Sequence, residues 1–355
     1  MKKRLLCALL CACLTLSGCA SLLSRDYVSV TQHKSATTDA GSSSVLRAET
    51  YQELVNALSY LISAGAEDGV VRLYMQTPQA EDDLSAARLE VLQEFPLAAY
   101  AVENITYETE PLLTYTEARV EISYQRTQQQ IASIMPVTGI SAVRAALTGA
   151  MSQFSPECVL RITFFDQTED YVQDLIQQLY YANPASALEF PEVDVRIYPN
   201  SGKQRIVEVD FRYETDSTLL SERAMLLAQA TTRITDALTA TNQSSPASAA
   251  KAVLNAGGYL PDGGSTGYAA LLEGGANAEG LALAYASVCG QLGISCKVAR
   301  GLCKGQPHFW NVVSTENGWR HIDLSLQTPV ALFATDAQWE KDGYLWLENS
   351  LPACS

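Results

Sequence analysis

Apolar and polar positions alternate with a period of two in several short runs of the middle of the chain. Val120-Glu121-Ile122-Ser123-Tyr124 and Val207-Glu208-Val209-Asp210-Phe211 each put apolar residues on one face and polar ones on the other, the pattern of a half-buried strand. Between such runs the spacing lengthens to three or four. Tyr171, Leu175, Ile176 and Leu179 mark an amphipathic helix of this kind. The two strand runs have companions at a nearly equal offset, since Val71-Arg72-Leu73-Tyr74 precedes the first much as Leu160-Arg161-Ile162-Thr163 precedes the second. This predicts two copies of one unit, about 46–150 and 151–240, each reading strand, helix, two strands, helix.

In the first copy the predicted elements are a strand at Gly69 to Gln76, a helix at Asp82 to Glu94, strands at Glu103 to Glu110 and Thr116 to Gln125, and a helix from about Arg126. In the second they are Val159 to Phe165, Thr168 to Tyr181, Val193 to Tyr198, Arg205 to Tyr213 and Leu220 to Ala240, with Asn200-Ser201-Gly202 as a hairpin turn. Helices on antiparallel strand pairs give an α+β fold class. Tyr107, Tyr115, Tyr124 and Tyr213 fit cross-strand packing better than a ligand groove. No phosphate loop or nucleophile elbow is present in this region.

Beyond residue 250 the pattern changes. Leu281, Ala282, Leu283, Ala284, Tyr285 and Val288 make the predicted helix Ala278 to Gln291 apolar all round, which marks a helix buried on every side. Asn277 is its predicted N-cap. After it come Gly293-Ile294-Ser295-Cys296, Val298-Ala299-Arg300-Gly301, His308-Phe309-Trp310-Asn311 and Trp319-Arg320-His321-Ile322-Asp323. In order and spacing this run resembles the transglutaminase-like domain, a papain-related fold in which a central helix packs on an antiparallel sheet. The resemblance covers about a third of the chain, residues 251–355. It implies an imidazole, His308, oriented by the carboxylate of Asp323, with Trp310 and Asn311 beside the pocket. His321, two residues before Asp323, falls on the same face of its strand and competes for that carboxylate.

The departure lies at the nucleophile. The family pattern opens the helix with cysteine, where the helix dipole and a neighbouring imidazolium hold a thiolate; here the position is Ala278. Cys289 is on the same helix but about 16 Å along it, at about 1.5 Å per residue. Cys303, on the loop leading to His308, is the substitute the spacing allows. The family likeness therefore implies a retained His308–Asp323 pair without its nucleophile, in a domain used for binding or scaffolding. The alternative is an active cysteine peptidase or protein-glutamine acyltransferase working through Cys303 or through a nucleophile elsewhere in the chain that the family pattern does not mark.

The chain begins differently from everything after it. Lys2-Lys3-Arg4, the apolar run Leu5 to Leu16, and Leu16-Ser17-Gly18-Cys19 have the form of a lipoprotein signal over 1–18. Its apolar run of about 12 residues is short of the roughly 20 a spanning helix needs. The expectation is cleavage before Cys19, lipid on its sulfur, and an extracytoplasmic chain anchored to the cell membrane. Residues 19–45, polar and rich in Ser, Thr and Ala, read as a flexible tether, and 241–250 as a linker before the last domain.

The net charge of −15 becomes more negative once the basic signal residues leave, which disfavours nucleic acid and points instead to a protein, peptide or cell-wall ligand. Of nine cysteines, Cys158, Cys289, Cys296, Cys303 and Cys354 remain beyond Cys19. None forms a Cys-x-x-Cys pair, so no metal or other cofactor is expected, and any disulfide connectivity is open.

Overall fold

A computed structural model of the chain describes residues 37–38, 45–75, 77–326, 333–347 and 350–355. The signal run, Cys19 and most of the expected tether lie outside the described residues. No helix among the described residues is long and apolar enough to cross a membrane. The fold is mixed α+β with several sheets, and the chain divides into two units, 1–92 with 103–123 and 93–102 with 124–355.

The first unit holds β1 (Thr37–Thr38), β2 (Val45–Ala48), α1 (Tyr51–Ser63), β3 (Asp68–Leu73), most of α2 (Thr77–Glu94), and the greater parts of β4 (Val102–Pro111) and β5 (Thr116–Tyr124). Strand order is β1-β2-β3-β5-β4, with β2 parallel to β3 and β3 antiparallel to β5. α1 starts where Thr50 accepts the backbone N–H of Glu53, and it buries Leu54, Leu58, Leu61 and Ile62, one stripe at helical spacing. Of the expected tether, Thr37 and Thr38 pair with Arg47 and Leu46.

The second unit starts with α3 (Pro96–Ala101) and resumes with α4 (Gln128–Ala132), β6 (Met135–Thr138), α5 (Gly139–Ser152), β7 (Glu157–Thr163), α6 (Glu169–Ala182), β8 (Glu192–Tyr198), β9 (Gln204–Arg212) and α7 (Ser217–Ala240). Its first sheet has the order β6-β7-β9-β8, again with one parallel pair, β6 with β7, and antiparallel pairs beyond it.

From β2 and from β6 onward the two sheets follow the chain path β-α-β-α-β-β, with the short α3 added before β4 in the first, which corrects the predicted strand, helix, two strands, helix. The helix expected from Arg126 is the five-residue α4; a strand and a second helix follow it. The strands that open each path, β2 and β6, are only four residues long, too short to display a period of two. Gly139, at φ +77°, turns β6 directly into α5.

The remainder of the second unit is α8 (Pro246–Ala256), β10 (Gly258–Gly264), α9 (Gly267–Leu272), β11 (Gly275–Ala276), α10 (Ala278–Gln291), β12 (Cys296–Cys303), β13 (Gln306–Thr315), β14 (Gly318–Ile322), a 3-10 turn (Leu324–Leu326), α11 (Asp336–Lys341) and β15 (Tyr344–Leu345). Residues 241–250, expected as a linker, carry the C-cap Thr241 of α7 and the N-cap Ser245 of α8, which is helical from Pro246.

The central helix α10 buries every residue from Gly280 to Cys289. Leu281, Ala284, Tyr285 and Val288 share one core with Leu220 and Leu227 of α7, Val253 of α8, Ala270 of α9, and Val313 and Ile322 of the second sheet. Gly280 in its first turn is required by space: a Cβ there would lie 2.8 Å from the carbonyl oxygens of both Gly264 and Thr266. Two of the predicted packing tyrosines are paired with rings, Tyr115 with Tyr74 at 5.3 Å and Tyr213 with Phe154 at 5.7 Å.

Candidate functional site

The second sheet of this unit has the order β14-β13-β12-β15 and is antiparallel throughout. Strand alternation gives its central strand two different faces. Asn311 and Val313 meet α10, the amide of Asn311 donating to the Ala282 carbonyl at 2.9 Å. Trp310 and Val312 join Ala299, Trp339, Tyr344 and Cys354 in a separate aromatic layer on the opposite face. Trp310 and Asn311 are 1% and 0% exposed, so both stand inside packed layers, and the pocket role expected for them does not describe their setting.

His308 sits on the aromatic-layer side at the open end of β13. Its Nε2 lies 2.7 Å from Oδ2 of Asp323, the residue that follows β14. The carboxylate is satisfied on both oxygens: the hydroxyl of Tyr344 donates to Oδ2 at 2.7 Å and the backbone N–H of Ser325 to Oδ1 at 2.8 Å. Burial opposes ionisation of Asp323, but the hydrogen bonds from His308, Tyr344 and Ser325 outweigh it and hold the acid below its ordinary pKa. Burial first, and then the neighbouring carboxylate, push the Tyr344 phenol far up, so it serves as a donor.

With Nε2–H given to a carboxylate, the lone pair of the imidazole is on Nδ1. Nδ1 has no hydrogen-bond partner among the described residues. The ring is therefore oriented as a base would be, by a buried carboxylate that is itself fixed.

Ala278 is the first residue of α10, where the side chain of Asn277 caps the helix by accepting the N–H of Gly280 at 3.1 Å. It presents a methyl group. Cys289, the other sulfur on this helix, is fully buried in its last turn.

Cys303 ends β12 opposite both Gln306 and Tyr344. It faces the same side as His308, because His308 pairs with Gly301 and residues two apart share a face. Its thiol interacts with the Tyr344 phenol, so its link to the imidazole passes through Tyr344 and Asp323. The hydrogen bonds of the His308 ring among the described residues go to Asp323 and Ser325, not to a thiol.

His321 does not compete for Asp323. It is 0% exposed, takes the indole N–H of Trp310 on Nδ1 at 2.9 Å and places Nε2 2.8 Å from Oδ1 of Asp336. The chain leaves the strand after Ile322 and turns into the 3-10 segment, so the strict alternation that would align His321 with Asp323 ends between them. His321, Asp336 and Cys354 are close enough to share an ion. Trp310, however, requires the Nδ1 lone pair, which leaves the proton on Nε2 and no lone pair directed at Asp336 and Cys354. A second acidic group, Glu157, Glu208 and Asp210, is already bridged by Arg126 and Arg196.

Sequence reasoning missed Tyr344, Ser325 and a cluster beside Ala278. There Tyr181 donates to Glu279 at 2.7 Å, Arg300 lies 4.9 Å over the Tyr181 ring, and Phe309 stands 5.6 Å from it. Desolvation raises the Glu279 pKa against the opposing effects of Tyr181 and Arg300. The lone acidic residue in the otherwise apolar first turn of α10 was the available signal for Glu279. Nothing in the sequence marks Tyr181, almost a hundred residues earlier.

No protein-family profile matches the chain, and no curated protein matches it. Among solved structures, a crystal structure of a TGase is similar over 66% of this chain and 68% of its own length, with 14% identity and a TM-score of 0.26. A likeness of that degree carries no argument about this chain.

Proposed function

We propose that the chain is an extracytoplasmic lipoprotein, anchored by lipid on Cys19, whose residues 251–355 form a transglutaminase-like domain used for binding or scaffolding rather than catalysis. The observation that carries this reading is a pairing of opposites. His308 is held by Asp323 at 2.7 Å as in a working thiol site, while the helix whose first turn should bear the thiol opens with Ala278. Loss of the nucleophile from a covalent site removes on the order of 10⁶-fold in rate, leaving binding and positioning.

The order of residues from Ala278 to Asp323 supports the family assignment, and so does the packing of a wholly buried helix on β13. The common path of the first two sheets supports the reading of two copies of one unit, with the second beginning at β6 rather than at residue 151. Lys2-Lys3-Arg4, the short apolar run and Leu16-Ser17-Gly18-Cys19 support anchoring. The ligand class in keeping with an acidic, membrane-tethered chain is a protein, peptide or cell-wall polymer, not nucleic acid.

The competing reading, an active cysteine enzyme, would rest on Cys303. A base must reach its nucleophile within about 3 Å, and the imidazole is hydrogen-bonded to Asp323 and Ser325 rather than to Cys303. Treating the purified full chain with iodoacetamide at neutral pH, followed by mass mapping, tests the choice. All cysteines should label at or below the rate of an ordinary thiol. Rapid labelling of Cys303 that slows in His308→Ala would overturn the non-catalytic reading.

A further inference from the structure

Cys289 and Cys296 close a short turn between the two elements that place the site. Cys289 is in the last turn of α10, and its carbonyl accepts the N–H of Ile294 at 2.9 Å. Gly293 follows Gly290 in the same turn, bonded N–H to carbonyl at 3.1 Å and at φ +72°. The chain is thereby folded back so that Cys296, the first residue of β12, packs against the core that contains Cys289. The two thiols interact with one another there, with Tyr285 beside Cys289 and Asn311 beside Cys296.

We propose that Cys289 and Cys296 form an intramolecular disulfide that staples the end of the central helix to the head of β12. A chain reversal whose own hydrogen bonds already hold the ends together places both free thiols in one packed core, the neighbourhood such a bond requires. The remaining three described cysteines do not offer a comparable pair: Cys158 lies in the core of the preceding sheet, Cys303 meets Tyr344, and the Cys354 thiol reaches the Pro352 carbonyl at 3.6 Å.

The chemistry requires an oxidant, and a small-molecule disulfide such as oxidised glutathione is sufficient. Cys296, only partly buried where Cys289 is 0% exposed, attacks as thiolate, forming a mixed disulfide and releasing one small thiol. The Cys289 thiolate then displaces the second small thiol from the sulfur of Cys296. Two electrons pass to the oxidant, and the two cysteine protons leave on the released thiols. Burial raises the Cys296 pKa well above that of a free thiol, so the reaction is slow in the folded chain and fastest while it folds or while the 290–295 turn is open.

The bond spans the elements that carry Ala278 and the strand paired with His308, so it braces the site without touching it. The proposal does not depend on whether the domain binds or catalyses. The test is direct: refold the full chain in a mixture of oxidised and reduced glutathione, block free thiols under denaturing conditions, and cut with a chymotrypsin-like protease after Leu292. The expected product is a pair of peptides joined through Cys289 and Cys296, two hydrogens lighter than their sum, separated by reduction. In Cys289→Ser the partner Cys296 should be fully alkylated. Full alkylation of both cysteines in the wild-type chain, or linkage of either to Cys158, Cys303 or Cys354, would overturn it, and the wild-type measurement stands even if the variant does not fold.

Discussion

The indole N–H of Trp310 donates to Nδ1 of His321 at 2.9 Å, across two neighbouring strands of one sheet. That single bond decides the state of a fully buried histidine. Its acceptor must be a bare nitrogen, so the ring is neutral and its other nitrogen donates to Asp336. Trp339 stacks on the same ring with the planes 9° apart, and Trp346 stands 4.7 Å from it.

Burial lowers the His321 pKa, with Asp336 opposing. In the unfolded chain the same side chain titrates near pH 6.5. As pH falls through that value the unfolded state takes up a proton that the folded state refuses, so stability falls, by up to about 1.4 kcal/mol per pH unit, until the folded group titrates. Above the unfolded pKa the term vanishes. Denaturant midpoints between pH 7.5 and 5.5 should decline, and the decline should flatten in His321→Asn. A slope unchanged by that substitution would assign the effect elsewhere.

Asp323 gives the same sign in a lower window. Its folded pKa is depressed, so its contribution is complete above the ordinary carboxylate pKa near 3.9 and is lost as pH falls through the folded value. Acid titration followed by near-ultraviolet circular dichroism should show a late loss of the aromatic layer that Asp323→Asn abolishes, since the amide does not titrate. The same transition persisting in Asp323→Asn would remove the carboxylate as its cause.

Much of this arrangement was legible beforehand, and the exceptions have a common cause. The longer strands β3, β4, β5, β7, β8 and β9 lie close to their predicted spans because alternation over six or more residues is a strong signal, as in Val207 to Phe211, whereas the helices α1 and α5 were not predicted. β2 and β6 were invisible for want of length. His308 and Asp323 could be read because they lie in a short, ordered motif on adjacent strands. Tyr344 and Asp336 could not be, because they lie in a two-residue strand and a six-residue helix, too short for a local period to mark which of their residues turn inward. His321 was misassigned by a correct rule applied one residue past the strand end.

Gly301 is where the edge of the sheet is sensitive to a single carbon. A Cβ at this position would lie 2.0 Å from the Leu345 carbonyl and 2.8 Å from the Trp310 ring. Gly301→Ala must therefore displace β15, and with it the Tyr344 hydroxyl that holds Asp323. Overpacking of this kind costs about 1–3 kcal/mol. Hydrogen exchange should show loss of protection at Leu345, together with weaker protection of the Asp323 region. Protection equal to wild type would mean that β15 does not depend on this approach.

Glu208 presents a different vulnerability, away from the site. Its side chain is 1% exposed, accepts from Arg126 at 2.9 Å and from Tyr198 at 3.2 Å, and forms an ion pair with Arg196 at 3.1 Å. Glu208→Ala leaves two guanidinium groups without their shared counter-charge. Breaking a buried pair by removing one partner costs about 3–5 kcal/mol, less here because Arg196 is 40% exposed and can turn to water. Urea unfolding should show a lower midpoint, with Glu208→Gln intermediate because it keeps the acceptor oxygen. Equal midpoints for Glu208→Ala and wild type would show that the network contributes shape but no stability.

The placement of α10 against the imidazole is best tested by restoring the missing atom. Ala278→Cys puts a thiol on the first helical residue, beside the unpaired N–H groups of a helix capped by Asn277. There the helix dipole favours thiolate, as does His308 by taking up the thiol proton, and a pKa depressed by about one unit or more is expected. The rate of iodoacetamide labelling at that cysteine, followed against pH, reports the pKa. In Ala278→Cys with His308→Ala the dipole remains and the imidazolium does not, so the profile should move back toward an ordinary thiol. The comparison separates the two contributions: a depressed pKa indifferent to His308 would leave the dipole alone at work and place the imidazole out of reach of the helix. An ordinary thiol in the single variant would remove both, and with them the reading of Ala278 as the vacant nucleophile position.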